Sequence, residues 1–291
     1  MSLYDYLFAP FADFGFMRRA LTGCIALSLG SSPLGVILLL RRMGLMGDAM
    51  SHAILPGAAL GYLFFGLSLP AMTIGGILAG LLVAGLAVLV SRYTSLKEDA
   101  SFAAFYLISL ALGVLIISLR GTSVDLLHVL FGTVLALDNA TLYLAAGIAT
   151  LSLLLLSLFY RPIIIQSFDS NFLMQHKLWN IAAYGVFLLL MVLNLVGGFH
   201  TLGTLMAVAF MVLPAASARF WAATVPVQML LAMIVGISAG FIGLLLSYHA
   251  NAAASPAIVL TLGCIYVFSL LAGKHSGLLI KNRYTARADT P

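Results

Sequence analysis

The sequence predicts an all-α, polytopic membrane bundle, and two observations carry that prediction. Hydrophobic residues make up 63% of the 291 positions and charged residues only 8%, with a mean hydropathy of +1.13. A soluble domain carries about 25% charged residues, so a soluble chain of this composition would have nothing to cover its surface with. The second observation is that apolar runs near the length needed to cross a bilayer, about 20 residues each, recur from one end of the chain to the other. We expect a single domain over residues 1–291, with about nine spans by that length criterion.

Taken in order, residues 1–17 are aromatic and acidic (Asp5, Asp13) and read as an interfacial lead-in on the outer side. They lack the basic start, short apolar run and cleavage site of a signal peptide. Spans are predicted near 20–40, 51–67, 70–91, 101–119, 140–160, 178–197, 201–218, 228–248 and 254–273. The stretch VDLLHVLFGTVLAL at 124–137 is too short to span and is predicted as an outer re-entrant or interfacial helix. The connector 161–177, RPIIIQSFDSNFLMQHK, sets Phe168, Phe172 and Leu173 among polar residues. A short helix lying on the cytoplasmic surface has that pattern, and a solvated loop fits it equally well. Residues 274–291 form a cytoplasmic tail.

Charge sets the orientation. With the N-terminus outside, only Arg18, Arg19 and Arg120 lie outside. Arg41, Arg42, Arg92, Lys97, Arg161, Lys177, Arg219, Lys274, Lys281, Arg283 and Arg287 fall inside. Basic residues favour the cytoplasmic side, so the chain is expected N-out and C-in. The net charge of +5 is thereby explained without nucleic acid.

Small and special residues come next. Gly57 and Gly61, Gly76 and Gly80, and Gly236 and Gly240 stand four apart, the spacing that lets helix backbones approach in lipid. Cys24 and Cys264 sit within apolar runs and read as small hydrophobes, with no disulfide or thiolate site expected. Pro56 and Pro214 fall inside predicted spans, where each frees the carbonyl four residues back, at His52 and Phe210. At membrane depth a freed carbonyl is satisfied by protein or lines a wet cavity.

Asp48 and His52 are the residues best suited to chemistry. Four apart on a helix, they share a face. Carboxylate plus imidazole suits a borderline divalent cation such as Mn²⁺, Fe²⁺ or Zn²⁺. An alternative account has Asp48 as a helix cap and His52 as a buried, hydrogen-bonded histidine. Two ligands are also fewer than the usual four, so the rest must come from other segments or from a second copy of the chain. His249, His200 and His128 are weaker metal candidates, each better read as an interfacial residue. His200 is expected in a tight outer turn, GGFHTLG. His176 and His275 read as solvated, and Asp125 and Asp138 as caps. There is no G-x-x-x-x-G-K-[ST] phosphate loop, so any pumping must draw energy from a partner, and the chain is not expected to be an enzyme itself.

RRMGLMGDAMSHAILPGAALG at 41–61 resembles the signature of the metal-type ABC importer permeases, the ABC-3 family, which take up manganese, zinc or iron. GTLMAVAFMVLPAASAR at 203–219 is similar to that family's second signature, SFDSNF at 167–172 to its cytoplasmic turn, and VDLLHVLFG at 124–132 to its short outer segment. The resemblance runs in order from Phe16 to Gly273. It departs at Leu173 and Lys177, where the family pattern has a small residue and a glycine.

The resemblance implies a type II ABC importer-like fold and a set of partners. These are a second permease copy, two cytoplasmic ATPase subunits and an extracytoplasmic solute-binding protein, in the inner membrane of a bacterium. It implies that Asp48 and His52 are metal ligands of the translocation path. It further implies that Ser167, Phe168, Asp169, Asn171 and Phe172 form the ATPase-coupling element. No cofactor is expected to stay bound, since the metal is cargo. The rival classes are an ATP-independent secondary cation transporter and a channel. The scarcity of intramembrane carboxylates counts against the first.

Overall fold

The computed structural model describes residues 6–66, 68–119, 137–168 and 177–275. Among the described residues there are eleven helices and no strand. They are α1 (Ala9–Asp13), α2 (Gly15–Leu40), α3 (Met46–Ala53), α4 (Leu55–Phe65), α5 (Leu69–Tyr93) and α6 (Glu98–Leu119), then α7 (Asn139–Phe168), α8 (Lys177–Leu202), α9 (Thr204–Arg219), α10 (Val225–Ala250) and α11 (Ala254–Ala272). The fold is the all-α membrane bundle expected. Seven of the helices (α2, α5, α6, α7, α8, α10 and α11) are long and apolar enough to cross a membrane.

The two remaining predicted spans are not continuous helices of that length. The second is split into α3 and α4 at Ile54, whose N–H turns to the carbonyl of His52. Pro56 therefore lies in the first turn of α4 and not in a helix interior. A proline there gives up only an N–H that would have no helical partner. The seventh is α9, 16 residues long, separated from α8 by Gly203 at φ +87°, a left-handed conformation that glycine adopts freely.

Two boundaries differ from the sequence reading. Helix α7 does not stop at Arg161 but continues to Phe168, with Pro162 inside it and Ile163 fully buried. The Ile163–Ile165 run keeps an apolar side against the bundle, so the helix period outlasts the proline. Helix α2 starts at Gly15, within the predicted lead-in. The lead-in is packed down, with the Phe11 ring stacked on Phe241 of α10 at 5.0 Å.

Helix α2 is the axis of the bundle. Its hydrophobic window is 78% buried, the most of the seven long helices, and it packs against α7, α8, α9 and α10. At its closest crossing, a methyl group on Gly35 would overlap the carbonyl of Met211 on α9. Hydroxyls hold the same helix to its neighbours. Ser28 donates to the Met233 carbonyl of α10 at 2.9 Å, and Ser32 to the Phe210 carbonyl of α9 at 3.0 Å. Phe210 is the residue whose carbonyl Pro214 frees, and Pro214 does lie inside α9. The freed acceptor is satisfied by protein. Asn194 of α8 likewise reaches Ser152 of α7 at 2.6 Å. The predicted glycine pairs all lie at close packing positions, Gly57 meeting Gly75 backbone to backbone. Both cysteines are free thiols, Cys24 buried and Cys264 exposed.

Candidate functional site

The site is built on a corner. At the end of α2, the Arg42 N–H bonds the Leu39 carbonyl at 3.2 Å and the Met43 N–H bonds the Leu38 carbonyl at 3.1 Å. This pair of bonds, around a residue in the left-handed region, is the Schellman motif. That residue is usually glycine, but here it is Arg42 at φ +60°. The chain then turns directly into α3. The Met46 N–H bonds the Met43 carbonyl at 3.0 Å, and the side chains of Met43, Met46 and Met50 are buried. The corner thus fixes where the first turn of α3 points.

Asp48 lies in that first turn and His52 in the last. His52 Nε2 is 3.7 Å from Asp48 Oδ1, close enough to share one ion and too long for a good hydrogen bond. Asp48 is 60% exposed and His52 25% exposed. The other ring nitrogen of His52, Nδ1, is buried with no hydrogen-bond partner among the described residues. Its ring lies against Tyr106 of α6, centroids 6.2 Å apart. The helix carrying the pair is fastened to α6 by Ser109, whose hydroxyl donates to the Ala53 carbonyl at 3.0 Å. Asp48 makes no side-chain cap to the helix start. Among the described residues no group of three or more His, Cys, Asp or Glu side chains could hold a metal. Among the described residues a single chain therefore offers two neighbouring donors on an open face.

The other predicted residues are dispersed. His200 is not in a turn. It occupies the last turn of α8, and its buried Nε2 has no hydrogen-bond partner among the described residues. The turn comes later, at Gly203, because the helical hydrogen bonds persist through Leu202. His249 ends α10, where its ring stacks on Tyr6 at 3.9 Å and its Nε2 meets the Tyr6 carbonyl at 3.1 Å. Neither joins Asp48 and His52. Asp138 caps α7, accepting from the Thr141 N–H at 2.9 Å. His128, Asp169, Asn171 and Phe172 lie outside the described residues, while Ser167 and Phe168 form the end of α7.

One polar cluster was missed. Arg41, just before the corner, donates from Nε to Ser167 Oγ at 3.1 Å and from Nη2 to Gln166 Oε1 at 2.8 Å. Its guanidinium lies over the rings of Phe187 and Tyr184, 4.4 and 5.1 Å from their centroids. Burial pulls its pKa below the ordinary arginine value, with Tyr184 and Glu98 opposing that pull. It stays cationic, as arginine does in proteins. The sequence offered one signal, an arginine opening the 41–61 signature, but nothing in the sequence links it to Gln166 and Ser167.

Comparison with known proteins follows the same lines. The model of the ABC 3 transport family matches residues 13–273. The chain is 33% identical over 277 residues to the manganese import system permease protein ScaB of Streptococcus gordonii, covering 94% of this chain and 95% of that one. It is 28% identical over 281 residues to a probable iron transport system membrane protein of Haemophilus influenzae, covering 97% and 98%. The structure of PsaBC from Streptococcus pneumoniae in complex with Fab superposes with a TM-score of 0.80 at 31% identity, covering 97% of this chain and 99% of that one.

Proposed function

Because the chain belongs to the ABC 3 transport family, we propose that it is the transmembrane permease subunit of an ATP-binding cassette importer for a divalent transition metal ion. Manganese and iron are favoured over zinc, since the relatives are named for those two metals. The metal is cargo, and hydrolysis of ATP belongs to separate subunits. The observation that carries the reading within this chain is the open pair of Asp48 and His52 on the short helix α3, which breaks from α4 at Ile54 in the midst of an apolar bundle. An ionisable pair there is costly unless it serves a path.

The mechanism is alternating access. A loaded solute-binding protein docks on the outer face, near 120–139 and 198–202. Two ATPase subunits move the 161–177 connector from the cytoplasm, with Ser167, Phe168, Asp169, Asn171 and Phe172 as the seat. The ion passes between two copies of the chain. The Asp48 and His52 pairs of both copies supply four donors about a twofold axis, and water fills the remaining positions that Mn²⁺ or Fe²⁺ favours. Four donors from two mobile subunits hold the ion only while the subunits are together, and release follows from their separation. The whole chain acts as one permease domain in the bacterial inner membrane, N-terminus outside and C-terminus in the cytoplasm.

The test is uptake into proteoliposomes holding the permease, its ATPase and its binding protein, with Mn²⁺, Fe²⁺ and Zn²⁺ offered one at a time. Uptake of at least one metal that requires ATP and the binding protein is expected. Uptake by the permease alone, without ATP, would make it a secondary transporter or channel and end this reading.

A further inference from the structure

Resting on the permease reading above, the polar cluster around Arg41 carries an assignment of its own. We propose that Arg41 is a positioning residue: it ties the corner that aims Asp48 and His52 to the end of the bundle where α7 stops and α8 starts. A displacement at that end then reaches the metal-bearing helix.

The contacts give the tie its two ends. Among the described residues, the Arg41 side chain bonds Gln166 and Ser167 in the last turn of α7 and lies over Tyr184 and Phe187 in the N-terminal half of α8. Those two helix ends are also held to each other, since Gln166 Nε2 donates to the Asn180 carbonyl at 3.0 Å. They flank residues 169–176, the stretch on which the coupling reading places its seat. Tyr184 extends the cluster to α6 by donating to Glu98 Oε2 at 3.1 Å. At the other end of the tie, Arg41 closes α2 and enters the Schellman corner, and Asp48 stands in the first turn beyond it. Between Gln166 and Asp48 there is one side-chain contact, one hydrogen-bonded corner and one helical turn.

The chemistry argues against a purely structural role. Among the described residues no carboxylate lies within ion-pair distance of Arg41, so its direct contacts are neutral acceptors and ring faces, and the Glu98 carboxylate beyond Tyr184 supports the charge only at longer range. Burying a charge is expensive, and an apolar residue of similar volume is often as stabilising or more so. What the guanidinium supplies instead is direction: a planar fork of donors that can hold two side chains and two rings in one geometry. A lysine, with a single mobile ammonium, would keep the charge and lose the geometry. A cavity of about 870 Å³ beside the guanidinium, lined by Asn180, Tyr184 and Glu98 among others, leaves this end room to shift.

The experiment uses the full assembly in proteoliposomes, comparing wild type with Arg41→Met, Arg41→Lys and Gln166→Met. Metal taken up per ATP hydrolysed is measured beside the thermal unfolding midpoint. Mutations within a coupling element shift coupling by about 0.5–2 kcal/mol, which is roughly 2- to 30-fold. We expect Arg41→Met and Gln166→Met each to lower metal per ATP by about tenfold, with Arg41→Lys rescuing little of it. A structural role would lower the unfolding midpoint and the yield of complex while leaving metal per ATP unchanged, and that result would overturn the proposal. Gln166 lies at a helix end and is only partly buried, so Gln166→Met decides the matter if Arg41→Met does not assemble. A wild-type assembly without ATP-driven uptake would sink the permease reading itself. A coupled wild type with equally coupled variants would sink only this one.

Discussion

Helix α2 and the broken helix α3–α4 both bring polar residues into an apolar bundle, and they treat them in opposite ways. On α2 every serine in the buried middle has a named acceptor: Ser28 the Met233 carbonyl, Ser31 the Leu27 carbonyl and Ser32 the Phe210 carbonyl. On α3 Ser51 is likewise satisfied, by the Asp48 carbonyl at 2.7 Å, but the side chains of Asp48 and His52 keep spare capacity. Asp48 Oδ1 and His52 Nε2 stand 3.7 Å apart without a good hydrogen bond between them, and His52 Nδ1 has no partner among the described residues. Polarity at membrane depth is therefore a poor guide to function by itself. Satisfied polar groups are glue between helices, and unsatisfied ones on an open face are available to a ligand.

The sharpest way to break this contrast is at the site. Asp48→Ala or His52→Ala should reduce ATP-dependent metal uptake by more than about a hundredfold, beyond the usual loss for a residue that only supports a ligand. Asp48 is an exposed residue, so its loss should change stability by about 0.5 kcal/mol or less. Uptake in reconstituted vesicles and thermal unfolding in detergent measure the two effects. Unaltered uptake would remove the pair from the path.

On α2 the pattern should invert, with folding affected and function per folded molecule preserved. Gly35→Val sets side-chain atoms against the Met211 carbonyl, and overpacking of that kind costs about 1–3 kcal/mol, here at the upper end because the obstacle is backbone. Thermal unfolding and the yield of monodisperse protein report it. Ser32→Ala orphans the Phe210 acceptor that Pro214 has already freed. In membrane bundles such bonds are worth about 0.6 kcal/mol on average, and we expect about 1 kcal/mol here.

Smaller effects bracket the site itself. Arg42→Gly removes a left-handed non-glycine residue from the corner. That relief, of order 1 kcal/mol, is partly offset by the glycine's greater freedom when unfolded, leaving a slight gain in the unfolding midpoint. A fall in transport alongside that gain would tie the corner's geometry to function. The smallest effect is at the water-facing start of α7. Hydrogen bonds from Thr141 hold the Asp138 carboxyl below its usual range. A group whose folded pKa is depressed stabilises above its unfolded value and loses that stabilisation as pH falls. The cap should therefore weaken below about pH 4, read as faster amide exchange at residues 139–142.

The bundle was legible in the sequence because hydropathy integrates over whole helices, and no single residue can reverse it. The candidate pair, Asp48 and His52, stood out because two ionisable residues four apart have few other uses in an apolar stretch, and the structure keeps them on one face 3.7 Å apart. What escaped were features set by long-range contacts. Arg41's role depends on Gln166 and Ser167, more than a hundred residues away. The proline at position 56 looked like an interior break, yet the chain breaks two residues earlier, at Ile54, and restarts at Leu55. Helix α7 passed the arginine and proline that seemed to end it, because Ile163 had a buried place to fill.

The bond from Ser32 to Phe210 also has a bearing on how the protein is made. Its two ends are 178 residues apart, and ribosomes add about 5–20 residues per second. The axial helix therefore enters the bilayer roughly 10–40 seconds before α9 exists to receive its hydroxyl. For that interval the most buried helix of the finished bundle must face lipid, insertase or chaperone with its serines turned back on its own backbone, as Ser31 remains. The order of synthesis and the order of packing are thus nearly reversed. Truncation just before α9 should leave α2 inserted but open to lipid-soluble photolabels at positions the complete chain seals.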